Sequence, residues 1–137
     1  MVFSNQEIVD LIVDFRMQRR LWECDLNEFP EIVKFYQEGY CSEEIDEGER
    51  YYVLNPQGEL FIDEQLKLIL KKMNDFLLSK CGQCNMADFV AFFWDTMNID
   101  LVQNELLLDF LLQQGKNYGY NIVKGISSKK DEKYILL

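Results

Sequence analysis

Residues 85–114, NMADFVAFFWDTMNIDLVQNELLLDFLLQQ, form the most apolar stretch of the chain and decide its fold. Asn85 followed by Asp88 is typical of a helix N-terminus, because an asparagine side chain accepts hydrogen bonds from amides that lack a partner inside the helix. The apolar side chains that follow cover almost every direction around a helix: Phe89, Val90, Phe92, Phe93, Trp94 and Met97. A helix that is apolar all round is enclosed by other elements. We therefore expect this stretch to lie at the centre of one core, as one helix or as two.

Helices are also predicted upstream of this stretch. Ser4 and Glu7 form a capping box at the start of a helix over about residues 5–23. A second helix begins near Asn27 and ends at Gly39, and a third begins at Asp63 and ends near Lys80. The fold class is therefore mainly α (α+β), a single-domain bundle of about four to five helices over residues 1–137.

Two hairpins are predicted beside these helices. The apolar segments 51–54 and 59–62 flank Asn55-Pro56-Gln57-Gly58, which suits a type I turn, so a β-hairpin is expected at about residues 51–62. Residues 118–126 and 134–137 predict a C-terminal hairpin. Residues 40–50 are expected to be an acidic loop.

The composition excludes several classes of protein. With 48% hydrophobic residues, the composition is that of a packed globule. The net charge of −10 and the pI of about 4.4 disfavour nucleic acid or an anionic membrane as a partner. The first apolar segment contains carboxylates, unlike a signal peptide, and no apolar run is long enough to span a bilayer. A cytoplasmic location and four free thiols are the expectation.

No catalytic signature is found. The chain has no histidine, which removes the Ser-His and Cys-His nucleophile arrangements, and it has no phosphate-binding loop. Cys81 and Cys84 form a CxxC pair, which is a format of both zinc and redox sites. Here Cys81 follows a predicted helix C-terminus, where the helix dipole disfavours a thiolate. A plain reduced turn is the better interpretation, and no catalytic residue, metal ligand or cofactor is assigned.

The charge distribution is the most distinctive feature of the sequence. Residues 23–49 contain ten acids and one base, Lys34, so this stretch carries −9 of the net −10. Tyrosines lie within or beside the same stretch, and aromatic side chains among charges resemble an interface with anchors and a charged rim. The partner-binding residues are predicted to be Glu43, Glu44, Asp46, Glu47 and Glu49, with Tyr40 or Tyr51 as an anchor. The simpler alternative is a solvated acidic face.

These observations predict a small acidic, non-enzymatic binding protein that neutralises a basic protein partner. An immunity protein against a toxin nuclease, or a phage-type inhibitor, has this character, because a nuclease cleft is basic in order to hold phosphates. Two alternatives stay open. One is a regulatory or adaptor module that binds a peptide or helix in an apolar groove, and the other is a zinc or redox protein that uses the CxxC pair.

Overall fold

The computed structural model describes residues 3–102, 105–126 and 133–136. Over these residues the structure is mainly helical and also contains two small antiparallel sheets of three strands each, so the prediction of a mainly α chain with some β structure is confirmed. It divides into two compact units, Met1–Leu66 and Lys67–Leu137. That the whole chain is a single domain stays a prediction.

The first unit begins with helix α1 (Asn5–Met17), whose predicted capping box is present. The Ser4 hydroxyl accepts from the Glu7 amide at 3.1 Å, and the Glu7 carboxylate accepts from the Ser4 amide at 3.0 Å. The helix ends six residues before the predicted position. Arg20–Trp22 is strand β1 instead, because the backbone groups of these residues pair with a strand more than twenty residues downstream.

A 3-10 helix (Glu23–Glu28) and helix α2 (Pro30–Gln37) follow. Pro30 lies in the first turn of α2, where its missing amide costs nothing. Gly39 ends the helix as predicted: its φ is +84°, and its amide donates to the Tyr36 carbonyl at 3.0 Å. A glycine reaches this left-handed conformation without steric cost.

The acidic segment expected to be a loop is a β-hairpin. Strands β2 (Cys41–Asp46) and β3 (Glu49–Leu54) are joined by Glu47 and Gly48, which both have positive φ, as a two-residue hairpin turn of type I′ requires. Strand β3 pairs with β1 on its other side, so the sheet order is β1-β3-β2.

The hairpin predicted at residues 51–62 is wrong, because its second half belongs to helix α3 (Pro56–Ser79). Asn55 caps this helix by accepting from the Gly58 amide at 2.9 Å, and Pro56 is the first helical residue. The segment Asn55-Pro56-Gln57-Gly58 is therefore the start of a helix and not a turn. Gly58 is required for packing, since a Cβ there would lie 1.8 Å from the Tyr40 carbonyl oxygen.

The core of the first unit is rich in aromatic rings. Phe35 is fully buried, and its ring contacts four others, with centroid distances of 5.0 to 5.8 Å: Phe3, Phe15, Tyr40 and Phe61. Aliphatic side chains from α1, α2 and the first part of α3 complete the core: Leu11, Ile12, Ile32, Ile62 and Leu66.

The second unit contains the rest of α3, strand β4 (Gln83–Asn85), helices α4 (Met86–Met97) and α5 (Glu105–Lys116), and strands β5 (Val123–Ile126) and β6 (Lys133–Leu136). Residues 85–114 thus form two helices. Asn98 ends α4 in a left-handed conformation, with φ of +56°. Strands β5 and β6 pair antiparallel, as the predicted C-terminal hairpin requires, but β5 begins only at Val123, and residues 127–132 and 137 lie outside the described residues. Strand β6 also pairs with β4, which gives the order β4-β6-β5.

Five apolar side chains of α4 and α5 are buried in the core of the second unit: Phe89, Phe93, Met97, Leu108 and Leu111. Helix α4 is not enclosed on every side, however, because Trp94 is 54% exposed. The helix buries one face, on which Phe89, Phe93 and Met97 recur every fourth residue. Phe92 lies beside this face and stacks on Phe76 with a centroid distance of 4.2 Å.

Candidate functional site: the acidic face of the first sheet

Five of the predicted partner-binding residues lie together on the β2–β3 hairpin. Glu43, Glu44 and Asp46 are on β2, Glu49 is on β3 and Glu47 is in the turn, and all five are exposed. The register places Asp46 directly opposite Glu49. Because like charges opposite one another destabilise a ladder, the hairpin needs compensating cations.

The strand register divides these side chains between two faces. Directly paired residues of an antiparallel ladder lie on the same face, and successive residues alternate. Leu21, Cys41 and Tyr52 are buried, so the face to which they belong packs on the core. The opposite face, called the outer face below, consists of Arg20, Trp22, Ser42, Glu44, Asp46, Glu49, Tyr51 and Val53.

Arg20 crosses the outer face from β1 to β2. Its guanidinium carbon lies 3.8 Å from the centroid of the Tyr51 ring, and its Nη1 lies 2.9 Å from Asp46 Oδ2 and 3.5 Å from Glu44 Oε1. The hydrogen bond to Asp46 is the main reason that the pKa of Arg20 is raised. Arg20 is thus the cation that lets Glu44 and Asp46 share one strand.

Trp22 and Glu49 form a second aromatic–carboxylate pair on the outer face. The Trp22 indole N–H donates to Glu49 Oε2 at 2.9 Å, and Trp22 is paired directly with Tyr51 in the ladder. Its side chain is 39% exposed. Sequence reasoning missed Trp22 because it falls at helical spacing after α1. The signal that could have found it is the alternation Arg20-Leu21-Trp22, polar and aromatic around one buried leucine.

Glu43 lies on the other face of the sheet and is satisfied within the protein. Arg50 Nε lies 3.6 Å from Glu43 Oε2, and Arg50 Nη1 lies 3.8 Å from Glu23 Oε1. A hydrogen bond between Tyr36 and Glu43 raises the pKa of the Tyr36 hydroxyl, and Tyr36 packs edge-on against Tyr52 with a centroid distance of 5.3 Å. Glu43 is therefore less free to meet a partner than the outer-face carboxylates.

The two tyrosines predicted as anchors have different positions. Tyr51 is on the outer face under Arg20, whereas Tyr40 packs against Phe35 and Phe61 at centroid distances of 5.0 and 4.7 Å. Glu47, in the hairpin turn, lies at one end of the sheet. The structure thus brings Glu44, Asp46, Glu49 and Tyr51 together and places the other predicted residues around them.

The outer face remains acidic after its internal cation is counted. It carries three carboxylates and one guanidinium, which is a net charge of −2. The charged side chains of Arg20, Glu44 and Asp46 are 38%, 50% and 50% exposed. Water and salt therefore reach them, and the negative potential of the face extends into solvent.

All four cysteines are free thiols, and the two of the CxxC pair differ in exposure. Cys81 is exposed in a left-handed conformation at the end of α3, and Cys84 is buried in β4. Burial is the main cause that raises the pKa of Cys84, which favours the unreactive thiol. Within residues 3–102, 105–126 and 133–136, no group of three or more cysteine or carboxylate side chains is arranged to hold a metal ion.

A buried carboxyl pair lies between α1 and α2, away from the outer face. Asp14 and Glu31 are each only 8% exposed. Burial, a hydrogen bond with Glu31 and the charges of Glu31 and Asp10 raise the pKa of Asp14 to about 9. Asp14 Oδ2 has no donor among the described residues, so the neutral acid that donates to Glu31 is the favoured form. Neither residue stood out in the sequence among so many surface acids.

None of the helices in the described ranges has the length and apolarity needed to cross a membrane. No protein-family model matches the sequence, and a comparison with curated proteins finds no match.

Proposed function

We propose that this chain is a small acidic, non-enzymatic binding protein that docks a basic protein on the outer face of its first sheet and neutralises it. The observation that carries the proposal is the aromatic pair on the outer face, exposed Trp22 and half-buried Tyr51, with Glu44, Asp46 and Glu49 on the same face. An immunity protein against a toxin nuclease, or a phage-type inhibitor, is the kind of protein proposed, acting in the cytoplasm.

The arrangement favours both a large contact energy and a fast association. Aromatic side chains supply a large contact area at low entropic cost, and they are enriched among the residues that dominate binding energy. A carboxylate rim attracts a basic partner over a distance and raises the rate of association. The Arg20–Asp46 and Trp22–Glu49 hydrogen bonds hold the side chains in place before a partner arrives.

A nuclease cleft is a fitting target for such a face. The cleft concentrates lysine and arginine in order to bind phosphates, so an acidic protein surface competes for the same groups. The three-stranded sheet offers its carboxylates in rows, with Glu44 and Asp46 on β2 and Glu49 on β3. This is the chemical basis on which neutralisation is proposed.

The test compares association rates of two variants with equal net charge. A pull-down first identifies the partner, and stopped-flow measurements at two salt concentrations follow. In the outer-face variant Glu44→Gln, Asp46→Asn and Glu49→Gln are combined. In the control variant three exposed carboxylates away from the sheet are neutralised: Glu28→Gln, Glu38→Gln and Glu59→Gln.

We expect the outer-face variant to associate about tenfold more slowly at low salt, because electrostatic steering raises association rates by at least that factor. The control variant should stay close to wild type, and Tyr51→Ala should mainly accelerate dissociation. If the two charge variants associate equally fast, the acidic face is only a solvated surface and the proposal fails.

A further inference from the structure

Trp22 and Glu49 form an aromatic–carboxylate pair on the outer face, like the pair Tyr51 and Asp46 that holds Arg20. We infer that this pair takes an arginine side chain of the basic partner, in preference to a lysine. The inference rests on the proposed function and adds to it the side chain that the outer face recognises.

Arg20 shows what this surface does with a guanidinium group. Its guanidinium carbon lies over the Tyr51 ring, 3.8 Å from the centroid, and its Nη1 donates to Asp46 at 2.9 Å. A planar guanidinium can stack on a ring and donate to a carboxylate at the same time, because its N–H bonds lie in the plane that faces the ring. The internal contact therefore defines a binding format: one aromatic face with one carboxylate beside it.

The Trp22–Glu49 pair has the same two components. Trp22 is two residues after Arg20 on β1 and directly opposite Tyr51, while Glu49 is two residues before Tyr51 on β3. The hydrogen bond from the indole N–H to Glu49 Oε2 holds the carboxylate at the edge of the ring and leaves Oε1 to accept from another donor. Tryptophan is also the aromatic side chain that attracts cations most strongly.

Charge complementarity identifies the occupant as basic. Arg20 reaches Glu44 and Asp46 but not Glu49, and in the part of the chain that the structure describes no lysine or arginine forms an ion pair with Glu49. A second copy of the outer face would bring carboxylates against carboxylates, which is repulsive. An arginine from a basic partner adds one stacked ring contact and one charge-assisted hydrogen bond.

The experiment uses two blocked peptides of equal length and charge, one with arginine and the other with lysine at every basic position. Each is titrated into the full-length, 15N-labelled protein at low salt, and the indole N–H signal of Trp22 is followed. A Trp94→Phe variant identifies which of the two indole signals belongs to Trp22. The same titrations are run on Glu49→Gln and on Glu47→Gln, which loses the same charge in the hairpin turn.

We expect the arginine peptide to bind wild type about two- to fivefold more tightly than the lysine peptide, because a guanidinium can stack on the indole while it donates to Glu49, and a stacked contact at an exposed site contributes about that factor. It should shift the Trp22 signal to saturation. Glu49→Gln should abolish this preference, whereas Glu47→Gln should weaken both peptides alike and retain it. Far-UV circular dichroism of each variant checks that the sheet is intact.

Equal affinity for the two peptides, or a preference that survives in Glu49→Gln, overturns the inference. If binding is then equal but still falls with added salt, the proposed acidic docking face stands without arginine selectivity. If neither peptide binds at low salt, both the arginine inference and the docking face are refuted.

Discussion

Replacing Asp14 with asparagine should remove a pH dependence of stability that the buried carboxyl pair creates. In the folded protein the pKa of Asp14 is raised to about 9, mainly by burial and then by its hydrogen bond with Glu31. In the unfolded chain an aspartate has a pKa of about 3.9. Between these two values the folded state binds one proton more than the unfolded state.

The sign and size of the effect follow from that proton. Because the folded state binds more protons, the free energy of unfolding falls as pH rises, by at most about 1.4 kcal/mol per pH unit between about pH 4 and pH 9. From pH 6 to pH 8 the loss is up to about 2.7 kcal/mol, a large part of a stability of about 5–15 kcal/mol. The chain has no histidine, the side chain that ordinarily titrates in this range.

Asparagine is the matched replacement, because its amide donates to Glu31 as the protonated acid does but has no proton to lose. The unfolding free energy of Asp14→Asn should therefore no longer depend on pH between pH 6 and pH 8. The pH dependence should persist in Asp25→Asn, a change at an exposed carboxylate. Urea unfolding is measured at pH 6, 7 and 8 by Trp22 fluorescence in a Trp94→Phe background. Trp22 then reports on the unit that contains Asp14.

Wild-type stability that is flat from pH 6 to pH 8, or a slope that Asp14→Asn retains, would refute the reasoning. The first result means that Asp14 is ionised in the folded protein. The second means that another group causes the slope. A variant that fails to fold at pH 6 would show instead that the amide cannot replace the acid at this position.

Three changes test the packing. Phe93→Ala removes a fully buried ring from the second unit and should cost about 3–5 kcal/mol of unfolding free energy, measured by urea denaturation; a loss below about 1 kcal/mol would contradict its core position. Gly58→Ala should destabilise by about 1–3 kcal/mol although alanine favours helices, because the new Cβ meets the Tyr40 carbonyl; a stabilised variant would show that α3 can shift. Asn55→Ala should cost about 1 kcal/mol through loss of the helix cap, whereas Gln57→Ala, at an exposed neighbour, should change little.

Local signals in the sequence were enough for several helix ends. The Ser4–Glu7 capping box, the Gly39 stop and the Asn85 cap are all present as predicted, because each depends on hydrogen bonds between residues within one turn. The buried face of α4 could likewise be predicted from the sequence, since Phe89 and Phe93 lie one helical turn apart. The acidic residues of the hairpin were also found, because charge along the chain needs no knowledge of the fold.

Other features depended on partners that are distant along the chain. Asn55-Pro56-Gln57-Gly58 suits a turn and a helix start equally well, and the packing of Gly58 under the Tyr40 carbonyl belongs only to the helix. Residues 20–22 continue a helical pattern, yet they form a strand because β3 offers them backbone partners.

The candidate site shows the same division. Composition and charge predicted an acidic surface and named Glu44, Asp46, Glu49 and Tyr51. Strand register alone placed them on one face, brought Arg20 over Tyr51 and put Trp22 beside Glu49. Side-chain alternation in a strand depends on its pairing register, and long-range backbone hydrogen bonds set that register, so the face exists only in the tertiary structure.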